Sequence, residues 1–152
     1  MKIIKCENFE IKVDDDVYEW ASKQNFRIEK SRQTYYAKQG GKRLHRLIMN
    51  VSDKNLFVDH INGNGLDNRR CNLRICTHKE NNYNRKKKAN TSSKYKGVYW
   101  KEQRKAYEAH IKYKGKVYYL GLFKNEDEAG EAYNKAAKEF FGDFASLNVI
   151  SN

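Results

Sequence analysis

The sequence has 152 residues, no proline and only three cysteines. It has no run of about 18 apolar residues, which excludes a membrane-spanning helix. Met1 to Asn8 contains no apolar stretch of signal-peptide length, so a cytoplasmic protein is expected. Three cysteines without a secretory signal argue for reduced thiols. Cys6, Cys71 and Cys76 form no C-x-x-C pair. Cys71, Cys76 and His78 lie close in sequence but lack the paired spacing of a zinc site, and read as buried or idle thiols.

Charge and aromatic rings are what the chain has in quantity. There are 31 Lys and Arg against 19 Asp and Glu, a formal net charge of +12. The pI is about 9.5 and the mean hydropathy is −1.01. Aromatics make up 13% of the residues, so the chain is no disordered basic tail and can build small cores. The length allows one domain or two small ones and excludes a large enzyme. The excess charge runs through the whole chain: +4 over residues 1–56, +5 over 57–93 and +3 over 94–152. That spread suits an extended polyanion, and nucleic acid is the first class of partner to test.

Local patterns divide the sequence. Residues 1–13 read as a strand pair. Asp14, Asp15 and Asp16 precede a short apolar-periodic helix at Val17–Ala21. Phe26–Lys38 reads as a hairpin, Gly40-Gly41 as a turn and Leu44–Met49 as a short helix. Leu56–Ile61 is a strand, followed by the loop Asn62-Gly63-Asn64-Gly65-Leu66-Asp67-Asn68 and an extended Leu73–Cys76. Thr77 and Glu80 form a capping box that starts a helix expected to run to about Lys88. Residues 89–93 read as a linker. Strands are expected at Tyr95–Trp100, Ala106–Tyr113 and Val117–Leu120. A helix capped by Asn125 follows, with an apolar stripe at Ala129, Ala132, Tyr133, Ala136, Ala137 and Phe140.

The middle third carries the chemistry. In a regular strand Asp59 and His60 project to opposite sides, so they suit different jobs around one substrate group. Asp59 and Asn81 offer two hard oxygen donors, which favours magnesium, or another hard cation such as manganese, over zinc. An unperturbed histidine titrates near working pH, so His60 suits a general base. On a helix continuing to Lys88, Arg85 stands one turn after Asn81, and with Lys86, Lys87 and Lys88 it suits backbone phosphates. Asn72 can bond backbone across the Gly/Asn loop and fix the direction of His60. Read singly, each residue has a plain alternative: a structural histidine, a turn, a solvated helix end.

Val58-Asp59-His60-Ile61-Asn62-Gly63-Asn64-Gly65-Leu66-Asp67-Asn68-Arg69-Arg70-Cys71-Asn72-Leu73-Arg74, with Glu80-Asn81-Asn82-Tyr83-Asn84-Arg85, resembles the HNH endonucleases. The likeness is strongest to the homing type of phage genomes and introns. The three letters fall on His60, Asn72 and Asn81, spaced by twelve and nine residues. The resemblance implies a ββα-metal core with one divalent ion. It implies His60 as general base, Asn72 as its orienter, and Asp59 with Asn81 as metal ligands. Asn82 competes with Asn81 for its place, and Asn68 with Asn72.

The last third is similar to the plant ethylene-response-factor (Apetala-type) DNA-binding domain. The similarity rests on Tyr95-Lys96-Gly97-Val98, Ala109-His110-Ile111-Lys112, Tyr119-Leu120-Gly121-Leu122-Phe123 and Glu128-Ala129-Gly130-Glu131-Ala132-Tyr133. It implies a sheet that enters the major groove, with Lys96, Tyr99, Lys101, His110, Lys112 and Tyr119 as candidate DNA contacts. Lys and Tyr stand where that family favours Arg and Trp, which weakens guanine reading.

The expected fold class is therefore α+β: a ββα-metal nuclease core, then a small three-stranded antiparallel sheet packed on one helix. The expected divisions are a β-rich segment at 1–43, a nuclease module at 44–88, a linker at 89–93 and a DNA-binding domain at 94–148. Arg27, Lys30, Arg32 and Lys38 add DNA contacts, or else residues 1–43 complete the nuclease core. The expected function is a magnesium-dependent, site-specific endonuclease or nickase acting on double-stranded DNA in the host-cell cytoplasm if phage-encoded. A monomer is expected, and a dimer would cut both strands. The rival readings are a non-catalytic DNA-binding regulator derived from such a nuclease, and an RNA-binding protein.

Overall fold

The computed structural model describes residues 1–31, 34–84, 87 and 91–150. The chain is a mixed α and β structure with several small sheets and few helices. It divides into two compact units, Met1–Asn82 and Tyr83–Asn152. Among the described residues no helix is long and apolar enough to cross a membrane.

The first unit begins with an antiparallel hairpin, β1 (Lys2–Cys6) and β2 (Phe9–Val13). Alternation in β2 buries Ile11 and Val13 completely. Helix α1 (Asp15–Ala21) adds Val17 and Ala21, four residues apart and on one face. Strands β3 (Arg27–Ser31), β4 (Thr34–Gln39) and β5 (Lys42–Arg43) make an antiparallel sheet. Helix α2 (Leu44–Ile48) follows. One core joins Ile4, Ile11, Val13, Val17, Ala21, Phe26 and Ala37 to Leu44 and Leu66. Residues 1–43 and the nuclease motif thus share a single interior.

A second hairpin pairs β6 (Leu56–His60) with β7 (Leu73–Thr77), placing Asp59 opposite Arg74 and His60 opposite Leu73. A 3-10 turn at Arg70–Asn72 leads into β7. The capping box forms as expected: Glu80 accepts from the Thr77 amide at 2.7 Å, and the Thr77 hydroxyl accepts from the Glu80 amide at 3.3 Å.

Helix α3 (His78–Tyr83) is shorter than the sequence suggests. Continuation to Lys88 would need the Tyr83 carbonyl for the amide of residue 87. That carbonyl instead accepts from the Lys96 ammonium at 2.9 Å, while the Tyr83 ring stacks on Phe141 at 4.2 Å. Lys87 lies outside the helix. Arg85, Lys86, Lys88 and Arg32 lie outside the described residues.

The second unit is an antiparallel sheet in the order β10-β9-β8, formed by β8 (Val98–Lys101), β9 (Ala106–Tyr113) and β10 (Lys116–Phe123). Strand β8 starts at Val98 and not at Tyr95, because Gly97 takes a left-handed φ of +77°. A Cβ at Gly97 would stand 2.2 Å from the Tyr133 ring. Helix α4 (Glu126–Phe141) is capped by Asn125, whose side chain accepts from the Asp127 amide at 2.8 Å. Val98, Ala109 and Ile111 are buried with Ala129, Tyr133, Ala136 and Ala137 of α4. Ser92 and Ser93 are part of this unit and no loose linker: their hydroxyls accept from the Trp100 and Tyr95 amides.

Candidate active site

The site is built around the loop between β6 and β7. Polar side chains take over the hydrogen bonding of its backbone, so the loop can be buried. Asn72 accepts from the Asn62 amide at 3.0 Å and donates to the Asp67 carbonyl at 2.8 Å. Arg69 grips both carboxylate oxygens of Asp67 at 2.7 and 2.6 Å. The N-terminal hairpin closes the loop from outside: the Lys12 amide donates to Leu66 and the Asn68 amide donates to Lys12. Asn68 is completely buried in consequence.

Asn68, not Asn72, bonds the candidate base. Its Oδ1 stands 3.3 Å from His60 Nε2. Its Nδ2 donates to the Gly65 carbonyl, which fixes the direction of the amide. With Oδ1 as acceptor, Nε2 carries the His60 proton and Nδ1 carries the basic lone pair. The Asn72 side chain bonds the loop backbone on either side and makes no hydrogen bond to His60. Burial lowers the His60 pKa, opposed by the Asn68 bond and by Asp59 and Asp67.

Asp59, His60 and Asn81 line one cleft of about 450 Å³. Asp59 and His60 reach the same cleft although neighbours on a strand alternate. His60 is the last residue of β6, and its carbonyl already accepts the turn bond from Gly63. Asp59 is held across the hairpin by Arg74, whose Nε and Nη2 both donate to Oδ2, at 3.0 and 2.7 Å. Asp59 and Asn81 supply a carboxylate and an amide carbonyl to one space, a donor set that fits a hard divalent cation. No group of three or more His, Cys, Asp or Glu poised for a metal occurs among the described residues, and Cys71 and Cys76 are free thiols.

The rest of the cleft includes Lys38, read from the sequence as a DNA contact, and several residues that the sequence did not single out. Tyr36, Arg43 and His45 line it with Glu29, Lys38 and Lys42. Glu29 accepts from Lys38 at 3.0 Å and from Arg43 at 2.9 Å. Arg46 is spent on structure, donating to the Leu56, Val51 and Asp53 carbonyls. One signal was readable in advance: Arg74 opposes Asp59 once the two strands are paired, and opposite charges favour such positions. His45 carried no such signal, because only the fold brings α2 against β6.

In the second unit, Tyr99, His110 and Tyr119 sit on the sheet face away from α4, with Tyr119 opposite His110 and Tyr99 opposite Glu108. The His110 ring lies 6.3 Å from Tyr99 and 5.5 Å from Tyr119. Lys101 and Lys112 share that face by strand parity, together with Glu108, which pairs with Lys101 at 3.4 Å and with His110 at 2.5 Å. Lys96 does not belong there. Its ammonium bonds the Tyr83 carbonyl and lies over Tyr133 of α4, and burial pushes its pKa down to about 8.

Residues 42–83 match the HNH endonuclease family. The chain is 34% identical over 116 residues to an uncharacterised HNH endonuclease of Acanthamoeba polyphaga mimivirus, an overlap of 73% of this chain and 59% of that protein's length. It is 31% identical over 94 residues to protein 3.8 of Escherichia phage T7, covering 60% of this chain and 75% of that one. No solved structure matches the chain closely enough for comparison. The chain therefore belongs to one family with phage T7 protein 3.8 and carries an HNH endonuclease domain over residues 42–83.

Proposed function

We propose that the chain is a divalent-metal-dependent DNA endonuclease or nickase of homing type, of phage or other viral origin. The observation that carries this reading is the meeting of Asp59, His60 and Asn81 in one cleft, with His60 held by a buried amide. His60 takes a proton from water through Nδ1 and so directs a hydroxide at a backbone phosphorus. Asp59 and Asn81 hold the cation, magnesium or manganese. The ion, when bound, neutralises charge on the departing oxygen. Asn68 keeps the His60 tautomer, and Asn72 keeps the loop that carries Asn68. Arg85, Lys86, Lys87 and Lys88, which follow the site in sequence, are proposed phosphate contacts.

The sheet face of the second unit, with Tyr99, Lys101, His110, Lys112 and Tyr119, is the proposed duplex-DNA tether. An HNH site contacts mainly backbone, so sequence choice falls to such a flanking element. The likeness to the ethylene-response-factor domain stays part of this proposal, without Lys96 as a contact.

One observation favours the second reading, a non-catalytic DNA-binding regulator. Arg74 places a cation of the chain itself against Asp59. Both readings meet in one experiment. Supercoiled plasmid DNA and viral genomic DNA are incubated with the protein in magnesium, in manganese or in EDTA, beside His60→Ala. Nicking that needs the metal and is lost in His60→Ala, with DNA binding retained, supports the enzyme. Binding without cutting in every metal and on every DNA refutes it.

A further inference from the structure

One wall of the cleft gathers positive charge in a way that costs the sheet stability. In the register of β3, β4 and β5, Arg27 stands opposite Lys38, and Lys38 opposite Arg43. Like charges directly opposite each other destabilise a sheet. Paired residues share a face, and Ala37, next to Lys38, is buried in the core. The three cations therefore form a row on the outer face. Glu29 and Tyr36, opposite each other, lie on that face too.

Glu29 answers two of the three. Its Oε1 accepts from Lys38 at 3.0 Å, and its Oε2 accepts from Arg43 Nε at 2.9 Å and lies 2.7 Å from Arg43 Nη2. The Arg43 guanidinium lies 4.2 Å over the Tyr36 ring. Tyr36 is fixed in turn, since a Cβ on Gly65 would stand 2.6 Å from its ring. The guanidinium fork is thus held flat, with one edge turned to an anion. The same edge takes a phosphate, because both anions offer oxygens to its N–H groups. Glu29, Tyr36, Lys38 and Arg43 line the cleft that Asp59 and His60 also line. The resident pair is open to exchange: Arg43 and Glu29 are 36% and 34% exposed, and pairs so exposed contribute little. Against Arg27, Lys38 and Arg43 the single charge of Glu29 leaves a positive surplus, which draws further anions.

We infer that Arg43 and Lys38 form the phosphodiester-binding site of the cleft, and that the Glu29 carboxylate fills it until a DNA phosphate takes its place. The inference rests on the reading of this cleft as the place where DNA backbone lies. Glu29 then acts as a competitor built into the chain. A duplex already held elsewhere on the chain displaces it more readily than one that meets the cleft alone, because its phosphates arrive at a high effective concentration.

The test uses the full chain in EDTA, so that binding is read without cutting. The Nε–H signal of Arg43, identified by its loss in Arg43→Lys, is followed in the native protein during titration with a short DNA duplex and, separately, with inorganic phosphate. DNA affinity is read by fluorescence anisotropy for Glu29→Gln and for Glu10→Gln, which makes the same change of charge at an exposed position of β2. The duplex should move the Arg43 signal. Glu29→Gln should bind DNA about 3- to 10-fold more tightly than the native protein at low salt, and Glu10→Gln less than about twofold more tightly. An Arg43 signal that saturating duplex leaves in place overturns the inference, as does an equal gain in the two glutamine variants. A signal that moves with inorganic phosphate alone overturns it as well, because DNA then does not reach the site. If Glu29→Gln does not fold, the Arg43 signal of the native protein decides. The cleavage reading fails separately: a chain that cuts in neither magnesium nor manganese, yet whose Arg43 signal moves with duplex, loses the enzyme and keeps the phosphate site. Failure of any duplex to bind overturns both.

Discussion

Lowering the pH from 7.5 to 5.0 should weaken the first unit through His45. In the unfolded chain its imidazole takes a proton near pH 6.5, while in the fold its pKa is about 3. Over this window the unfolded state binds a proton that the native state does not, so stability falls as pH falls. The contribution is whole above pH 6.5 and drains away on the way down toward pH 3. One proton at about 1.4 kcal/mol per pH unit amounts to about 2 kcal/mol between pH 7.5 and 5.0. His60, whose pKa burial also lowers, adds in the same direction. The carboxylates Asp67 and Glu80, held below their ordinary range by Arg69 and Thr77, lose their contribution mainly below this window. Amide exchange at Ile11 and Val13, both completely buried in this unit, reads its opening free energy apart from the second unit. The native protein should lose about 2 kcal/mol more than His45→Phe over the same pH step. Equal losses, or a His45 resonance that titrates near 6.5, would refute the burial reasoning.

Other outcomes follow from close contacts and caps. Gly65→Ala would set a Cβ 2.4 Å from the Tyr35 carbonyl oxygen, so it should destabilise the first unit by about 1–3 kcal/mol in urea unfolding. Asn125→Ala removes the cap on the Asp127 amide and should cost the second unit about 1 kcal/mol, with the sheet spectrum intact. DNA affinity should fall steeply with salt, and Lys112→Ala should reduce the slope of log affinity against log salt by about 1; an unchanged slope removes Lys112 from the interface.

How much was legible differs from element to element. The β1–β2 hairpin, the strand at Ala106–Tyr113 and the Thr77–Glu80 box were readable because alternation, turn residues and caps act over a few positions. The split of the C-terminal sheet into a buried face with Ala109 and Ile111 and an outer face with His110 and Lys112 was readable for the same reason. The end of α3 was not. Nothing near Tyr83 in sequence marks a stop, and its carbonyl is claimed by Lys96, thirteen residues on. Nor was Lys96 readable as a helix-side residue, since its place follows from Tyr83 and Tyr133 together.

By itself the sequence determined a basic, aromatic-rich chain with a compact HNH motif, its candidate base and its candidate oxygen donors. Those are properties of residue type and short spacing. Only the tertiary structure decided that Asn68 and not Asn72 bonds the His60 ring, because the Asn68 backbone is held by Lys12 of a distant hairpin. The fold likewise set Arg74 against Asp59 and His45 against His60. Contacts between residues so far apart depend on which elements share one core. A buried polar group must then find its partner among whatever side chains the fold brings within reach.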